Sequence, residues 1–312
     1  MENITAINSV YAYYFPEVRS LVRKTISTFD QDLLLTAIFP GLDDFHKPLI
    51  EKFILASAKY QTGLDGFSHR YFINGSSEGI FHLLVDSVYR NTGKPIYVFK
   101  GEYEGYKEYT KNIGGTVTEI ESGSDLSRLT LGRWFISNPS AIKGNLLDNE
   151  LIKAICDLGH EVVLDIAYIG LTKAYKLDLT HQNIIAVVAS MSKPFGLFYY
   201  RAGLAFVRRP IPTLYANKWF KNILSITMAE AVIDKFGFGY FYPKYKSFQD
   251  SALTQLSREA GIPVLPSDVL LLSHLPKENA KDLTPDQLDR LSKYLRGDTY
   301  RFCLTPYFLS LE

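Results

Sequence analysis

Short apolar runs alternate with segments of helical periodicity along the first two thirds of the chain, a pattern typical of an α/β fold. The run at 71–73 is followed by apolar residues at helical spacing between Glu78 and Tyr89. The same pattern predicts further strands at 95–99, 115–120, 133–136, 161–164, 184–189 and 203–207. Because these runs are almost continuously apolar, we expect a mainly parallel sheet that is covered on both faces.

The last third of the chain is mostly helical in its pattern, with helices predicted over 225–236 and 245–261. An earlier helix is predicted over 148–158, with Asp148 as its N-cap. Weaker strands are predicted at 264–271 and 300–304.

This order of elements predicts two domains. The large domain would comprise residues 45–225, and the smaller one would combine 1–44 with 226–312. A chain of 312 residues with 46% hydrophobic residues is long enough for one large core and a smaller one.

Composition narrows the class of partner. A net charge of +1 provides no electrostatic argument for nucleic acid or a membrane surface. No apolar stretch approaches the roughly 20 residues that span a bilayer, and no secretory signal is visible at the start. Cys156 and Cys303 make neither a disulfide framework nor a metal cluster. We therefore expect a cytoplasmic protein without a metal site.

The segment 190–203 contains the most informative chemistry. Lys193 follows an apolar strand and is flanked by small hydroxyl residues and Gly196, with Arg201 eight positions later. Pyridoxal 5′-phosphate (PLP) presents an aldehyde that a lysine can hold as a Schiff base and a phosphate that hydroxyls and a guanidinium can bind. A solvated surface lysine is the alternative, and the apolar strand before it argues against that interpretation.

This segment closely resembles the PLP-lysine signature of the class I/II aminotransferases, which have fold type I. The resemblance implies an α/β three-layer sandwich with a mainly parallel central sheet plus a smaller α+β domain. It also implies PLP as cofactor, an amino acid or amine and a 2-oxo acid as substrates, and a homodimer. Lys193 would be the catalytic base. Tyr199 departs from the family, which usually has a small or polar residue there.

Asp165 ends an apolar strand, where a carboxylate could pair with the pyridinium nitrogen of PLP or simply cap a turn. The family has an Asp-x-x-Tyr motif at a similar distance before its lysine, and Lys193 follows Asp165 by 28 residues. The resemblance therefore implies that Asp165 binds the ring nitrogen and that Tyr168 donates to the 3′-oxygen.

A Gly-Ser-Ser turn opens a helix directly after the strand at 71–73, where free backbone N–H groups favour an anion. By itself this turn favours the interpretation as a simple helix cap. Residues 74–80 are similar to the phosphate turn of histidinol-phosphate aminotransferases. The resemblance implies that the phosphate is bound by Gly75, Ser76, Ser77, Ser190, Ser192 and Arg201.

Two further roles follow from the resemblance. Tyr103 corresponds to the aromatic residue that stacks on the pyridine ring, although an aromatic residue after a strand is more often a packing residue. Arg301 corresponds to the arginine that holds the substrate α-carboxylate through two parallel hydrogen bonds. An arginine in a salt bridge on an edge strand is the alternative.

The Asn-Pro-Thr-Gly motif of the family has diverged. Asn138-Pro139-Ser140-Ala141 keeps the asparagine, 27 residues before Asp165, but replaces the glycine. A second register places 141–144 on the motif and leaves no asparagine. We prefer Asn138 as a ligand of the 3′-oxygen. Phe39-Pro40 replaces a Tyr-Pro pair, which would remove a phosphate contact to the other subunit.

The sequence thus predicts a PLP-dependent aminotransferase. A decarboxylase or lyase is the alternative within PLP chemistry, because substrate orientation decides which bond breaks. A non-catalytic binding protein with the same fold is a third hypothesis, which the intact lysine disfavours.

Overall fold

The computed structural model describes residues 4–35, 41–91, 93–216, 219 and 221–310, so Phe39 and Pro40 lie outside the described residues. Its helices are α1 Pro16–Ser27, α2 Asp32–Leu35, α3 Lys47–Ser57, α4 Ser76–Tyr89, α5 Glu104–Asn112, α6 Asn149–Asp157, α7 Pro212–Ala216, α8 Ile223–Phe236, α9 Phe241–Ala260, α10 Pro285–Ser292 and α11 Thr305–Ser310. Its strands are β1 Gln61–Thr62, β2 His69–Ile73, β3 Ile96–Phe99, β4 Val117–Ile120, β5 Arg133–Ser137, β6 Glu161–Asp165, β7 Leu177–Asp178, β8 Ile184–Ser190, β9 Gly203–Val207, β10 Leu265–Pro266, β11 Leu272–Pro276, β12 Leu295–Arg296 and β13 Thr299–Cys303.

The large sheet has the strand order β2-β9-β8-β6-β5-β3-β4 within the described part of the chain. Neighbours from β8 to β4 are parallel, whereas β9 runs antiparallel to both β2 and β8. The predicted mainly parallel sheet is therefore confirmed. Because β9 runs against its neighbours, its first residue lies at the same edge as the last residues of β2 and β8.

Both faces of the large sheet are buried. Val163 packs on one face with Leu83 and Leu84 of α4, whereas its neighbours Val162 and Leu164 belong to the core on the opposite face. Helices α4, α5 and α7 contribute to the core on the face of Val163. Helices α3, α6 and α8 contribute to the core on the face of Val162 and Leu164. Burial on both faces is the physical reason for the continuous apolar runs in the sequence.

The small sheet has the antiparallel order β10-β11-β13-β12 and is built from the last third of the chain. The N-terminal segment joins it, since Ile7 and Cys303 exchange both backbone hydrogen bonds. The proposed division at residues 44 and 225 stays a prediction.

The strand predicted over 264–271 is wrong in its extent. Only Leu265 and Pro266 pair there, and β11 begins at Leu272. The backbone N–H groups of Val269 and Leu270 donate to Gly144 and Leu171 in loops of the large-sheet region. Their side chains are fully buried, so an apolar run that looked like a strand is a buried loop.

None of the helices that the structure describes is both long and apolar enough to cross a membrane.

Candidate active site

The carboxyl ends of β2, β3, β5, β6 and β8 meet at one edge of the large sheet, as expected for ligand sites in open α/β folds. A cavity of about 690 Å³ lies there, within the usual range for small-molecule sites. The residues predicted from sequence that line it are Ser76, Ser77, Tyr103, Asp165, Tyr168, Ser190, Ser192, Lys193, Arg201 and Arg301.

One end of the cavity is suited to an anion. Helix α4 begins at Ser76, so its first backbone N–H groups have no partner within the helix. Gly75 has φ +95°, and a Cβ there would lie 2.6 Å from Nη2 of Arg201. Glycine is therefore required for the guanidinium to approach the turn. The Arg201 Nη1 also donates to the Ser192 hydroxyl at 3.3 Å.

Arg201 itself has φ 50°, in the left-handed region that non-glycine residues rarely adopt. This conformation costs roughly 1–2 kcal/mol. Strained backbone often accompanies function, and here it positions a cation beside the serines at the start of α4.

Lys193 is a buried amine that faces the cavity, and its Nζ donates to the carbonyl oxygen of Val10. The pKa of Lys193 is lowered to about 8, chiefly by burial and also by the nearby Arg301 and Arg201, against an opposing effect of Cys303. A lysine with this pKa supplies much more neutral, nucleophilic amine near pH 7 than an exposed one.

Asp165 is the last residue of β6, opposite Ser137 in the register of β5. Its carboxylate accepts a hydrogen bond from the Ala167 N–H at 3.0 Å. Its pKa is raised to about 7, chiefly by burial and also by the charge of Glu102, against the effect of the Ala167 hydrogen bond. A buried carboxyl of this kind is stabilised as an anion when a cationic group binds beside it.

Two tyrosines complete the wall. The Tyr103 hydroxyl lies 3.3 Å from the Ser77 hydroxyl, and its ring packs edge-on against Tyr106. Tyr168 is buried, which raises its pKa, so it stays a protonated hydrogen-bond donor.

Arg301 lies on β13 and is also buried, with a pKa lowered chiefly by that burial. It donates to the carbonyl oxygens of Ala141 and, at 2.9 Å, of Asn8. Its Nε has no hydrogen-bond partner among the described residues. A buried guanidinium with an unused donor is well suited to bind a carboxylate.

Asn138 lies behind the cavity wall. Its carboxamide accepts from the N–H and donates to the carbonyl oxygen of Leu147, at 3.1 and 3.3 Å. Ala141 lines the cavity instead. The structure therefore brings the other predicted residues together, with Gly75 directly beneath Arg201, but does not bring Asn138 to the cavity.

Sequence reasoning missed Glu102. It is 7% exposed, lines the cavity, and accepts hydrogen bonds from Ser137 Oγ at 2.7 Å and Tyr103 N at 3.1 Å. The Ser140 hydroxyl lies 3.4 Å from its other oxygen. Burial raises its pKa to about 7, against the effect of these hydrogen bonds. In the sequence nothing distinguishes it from the exposed Glu104 two residues later.

These side chains fit PLP. An anion site, a buried amine, a buried carboxyl and an aromatic ring surround one cavity, and they match the phosphate, aldehyde, ring nitrogen and ring face of that cofactor.

The comparisons with known proteins agree with this geometry. The family model described as "Aminotransferase class I and II" matches residues 9–285, which is most of the chain. The chain belongs to the class I and II aminotransferase family. Its cofactor is therefore PLP, and its family acts on amino acids and 2-oxo acids. The comparison with curated proteins returned no match.

Solved structures confirm fold type I for this aminotransferase-family protein. Aspartate aminotransferase from Thermus thermophilus with maleate is 15% identical with a TM-score of 0.71, covering 99% of this chain and 90% of that one. YbdL from Escherichia coli, identified with a methionine aminotransferase function, is 14% identical with a TM-score of 0.70, covering 97% and 90%. L-threonine-O-3-phosphate decarboxylase from Porphyromonas gingivalis is 15% identical with a TM-score of 0.65, covering 99% and 97%. At these identities the likeness shows the fold alone.

Proposed function

We propose that this chain is a transaminase that moves the amino group of an amino acid to a 2-oxo acid. One observation carries the proposal: the Lys193 amine, the Asp165 carboxyl and the Arg301 guanidinium line the same cavity. An aminotransferase needs these three groups to hold its cofactor and the substrate carboxylate and to move one proton.

PLP, when bound, supplies an electron-withdrawing ring that stabilises negative charge on the substrate α carbon. Lys193 would hold the cofactor through its amine. With a substrate amine in that place, the Lys193 amine would be free to act as the base that takes the proton from the α carbon and returns it to the cofactor. Its lowered pKa enlarges the fraction of neutral amine, the form that this role requires.

Asp165 provides the carboxylate that keeps the ring nitrogen protonated. Tyr103 would pack against the ring, and Tyr168 would donate to the 3′-oxygen. Asn138 can reach that oxygen only if its carboxamide leaves the backbone of Leu147, so Tyr168 is the better-placed donor. The phosphate is assigned to Gly75, Ser76, Ser77, Ser190, Ser192 and Arg201.

Arg301 binds the substrate α-carboxylate and orients the α carbon towards Lys193. The substrate replaces the carbonyl oxygens of Ala141 and Asn8, which occupy the guanidinium in this structure. Because Arg301 is almost fully buried, the carboxylate is held away from water. A charged hydrogen bond is stronger in such a buried site than in water.

We also propose a homodimer in the cytoplasm. Tyr199 lies at the cavity and is 90% exposed, and a second subunit would cover this ring. Analytical ultracentrifugation of the purified protein tests the assembly.

Decarboxylation is the second candidate, favoured by the likeness in fold and length to the Porphyromonas gingivalis decarboxylase. The same lysine, carboxyl and phosphate residues would serve either reaction. The substrate bond held perpendicular to the ring decides between them.

Half-reactions with a panel of amino acids test the proposal. The PLP-loaded protein should be yellow, should lose its visible band on borohydride reduction, and should carry the cofactor on Lys193 by peptide mass spectrometry. With a suitable donor it should release a 2-oxo acid in one turnover. Release of carbon dioxide would identify a decarboxylase instead.

Lys193→Ala should abolish turnover, whereas Lys235→Ala on the exposed side of α8 should leave it unchanged. Equal activity in the two variants would place the catalytic lysine elsewhere. A protein that never acquires the visible band would overturn the proposal altogether.

A further inference from the structure

Arg296 and Arg301 lie on the same face of the small sheet. In the antiparallel pair β12–β13, Arg296 is opposite Thr299, and Arg301 follows Thr299 by two residues. Residues two apart on a strand share a face, so the two arginines are diagonal neighbours, a spacing within reach of long side chains. Both line the cavity.

Each arginine keeps unused donor capacity. The Nε of Arg296 is buried and, like that of Arg301, has no hydrogen-bond partner within the described part of the chain. The carboxylate nearest to Arg296 is that of Glu104, 3.7 Å from Nη1, and its side chain is 68% exposed. A buried donor without a partner costs free energy that a bound ligand can recover.

The other charged groups of the cavity neutralise this pair only in part. Asp165 is assigned to the cofactor ring, and Arg201 to the phosphate. The charge of Glu102 raises the pKa of Arg301 and so offsets part of its positive charge. Burial raises the pKa of Glu102 itself to about 7, which weakens this compensation near neutral pH, and the proximity of Arg296 contributes to the lowered pKa of Arg301.

We propose that Arg296 binds a second anionic group of the substrate while Arg301 holds the α-carboxylate. The substrate is then an amino acid whose side chain ends in a carboxylate or a phosphate. Glu104 acts as an exposed counter-ion of Arg296, and separating this pair costs little because water screens it. This inference rests on the proposed function and adds the substrate class.

Pairs of amino donors that differ only in the second charge test the proposal on the PLP-loaded protein. Aspartate and glutamate are compared with asparagine and glutamine, and O-phosphoserine with serine. The acidic member of each pair should react with the higher kcat/KM. A larger preference in the aspartate and glutamate pairs would indicate a side-chain carboxylate, and a larger preference in the O-phosphoserine pair would indicate a phosphate. Arg296→Gln should lower kcat/KM for the acidic member by about 10- to 100-fold and leave the neutral member within about twofold.

Matched variants separate binding from structure. Glu104→Gln removes the counter-ion and should preserve or increase the preference for acidic donors, while the exposed Arg128→Gln should change neither member. Equal loss with acidic and neutral donors in Arg296→Gln would mean that Arg296 only joins β12 to α5, and would overturn the proposal. So would equal kcat/KM values for the two members in the unmodified protein.

Calorimetry supplies a readout that does not need turnover. Succinate should bind the PLP-loaded protein more tightly than butyrate, and Arg296→Gln should abolish that difference. If no amino donor reacts, the proposed transamination fails, yet the succinate comparison still decides whether Arg296 binds a second anion. Equal binding of succinate and butyrate would refute this role.

Discussion

Glu102 and Asp165 place two carboxyl groups in one buried cavity, and burial favours the neutral form of each. The pKa of Glu102 is raised from 4.5 to about 7, and that of Asp165 from 3.8 to about 7. The Glu102 charge is one of the causes of the Asp165 shift. The protonation of the group assigned to the cofactor ring therefore depends on a residue that has no counterpart in the sequence motifs.

Replacing Glu102 tests whether its pKa is raised in the cofactor-free protein. Between pH 4.5 and 7 the folded carboxyl binds its proton more tightly than the unfolded one, so stability falls as pH rises through this window. The loss from Glu102 alone is at most about 3 kcal/mol. Glu102→Gln keeps an acceptor for Ser137 and a donor for Ser140, and should flatten the decline of the free energy of unfolding from pH 5 to 8.

Urea denaturation across this pH range measures the effect. Glu108→Gln, an exposed substitution on α5, should retain the decline of the unmodified protein. If the free energy of unfolding declined equally with pH in Glu102→Gln and in the unmodified protein, ionisation of Glu102 would cost little free energy.

At the scale of elements, the loop between β8 and β9 carries Ser192, Lys193 and Arg201, and the N-terminal segment holds it in place. Gly196 lies in this loop with φ +70°, and a Cβ there would approach the carbonyl oxygen of Tyr13 to 2.4 Å. The close backbone approach explains why glycine is needed and ties the lysine loop to residues far away in sequence.

Gly196→Ala should destabilise the protein by about 2–4 kcal/mol, because left-handed strain adds to a steric clash with the backbone. Gly123→Ala is the matched control, since Gly123 has φ +82° but no neighbouring atom within 4 Å. This control should cost about 1–2 kcal/mol, the strain alone. Chemical denaturation of both variants checks the difference, and equal losses would rule out the contact with Tyr13.

At the scale of the whole molecule, residues 4–15 connect the two sheets across the cavity. Ile7 pairs with β13, while Asn8 and Val10 accept hydrogen bonds from Arg301 and Lys193. Phe15 anchors the end of this segment: it is fully buried and stacks on Phe241 of α9 at 4.1 Å. The stability of the cavity therefore depends on aromatic packing outside it.

Phe15→Ala should lower the free energy of unfolding by about 3–5 kcal/mol, as expected for a large buried aromatic side chain. Tyr11→Ala in the same segment should cost no more than about 0.5 kcal/mol, because the Tyr11 side chain is 51% exposed and its backbone oxygen is retained. Equal destabilisation by the two variants, measured by thermal or urea unfolding, would contradict the anchoring role.

The order of strands and helices and the family were determined by the sequence alone. Strands that are buried on both faces must be continuously apolar, so β5, β6 and β8 could be predicted nearly to their ends. Asp148 could be predicted as the N-cap of α6 because its side chain accepts from the Glu150 N–H, a local interaction. The motif around Lys193 likewise depends on residues close together in the chain.

Only the tertiary structure decided how distant residues meet. Apolar side chains at 269–271 are buried whether the backbone pairs in a sheet or in loop contacts, so their hydrophobicity could not reveal a buried loop. The burial of Glu102 depends on Ser137 and Ser140, which lie on another strand end. These properties arise from packing between segments, and no local pattern of residue types encodes them.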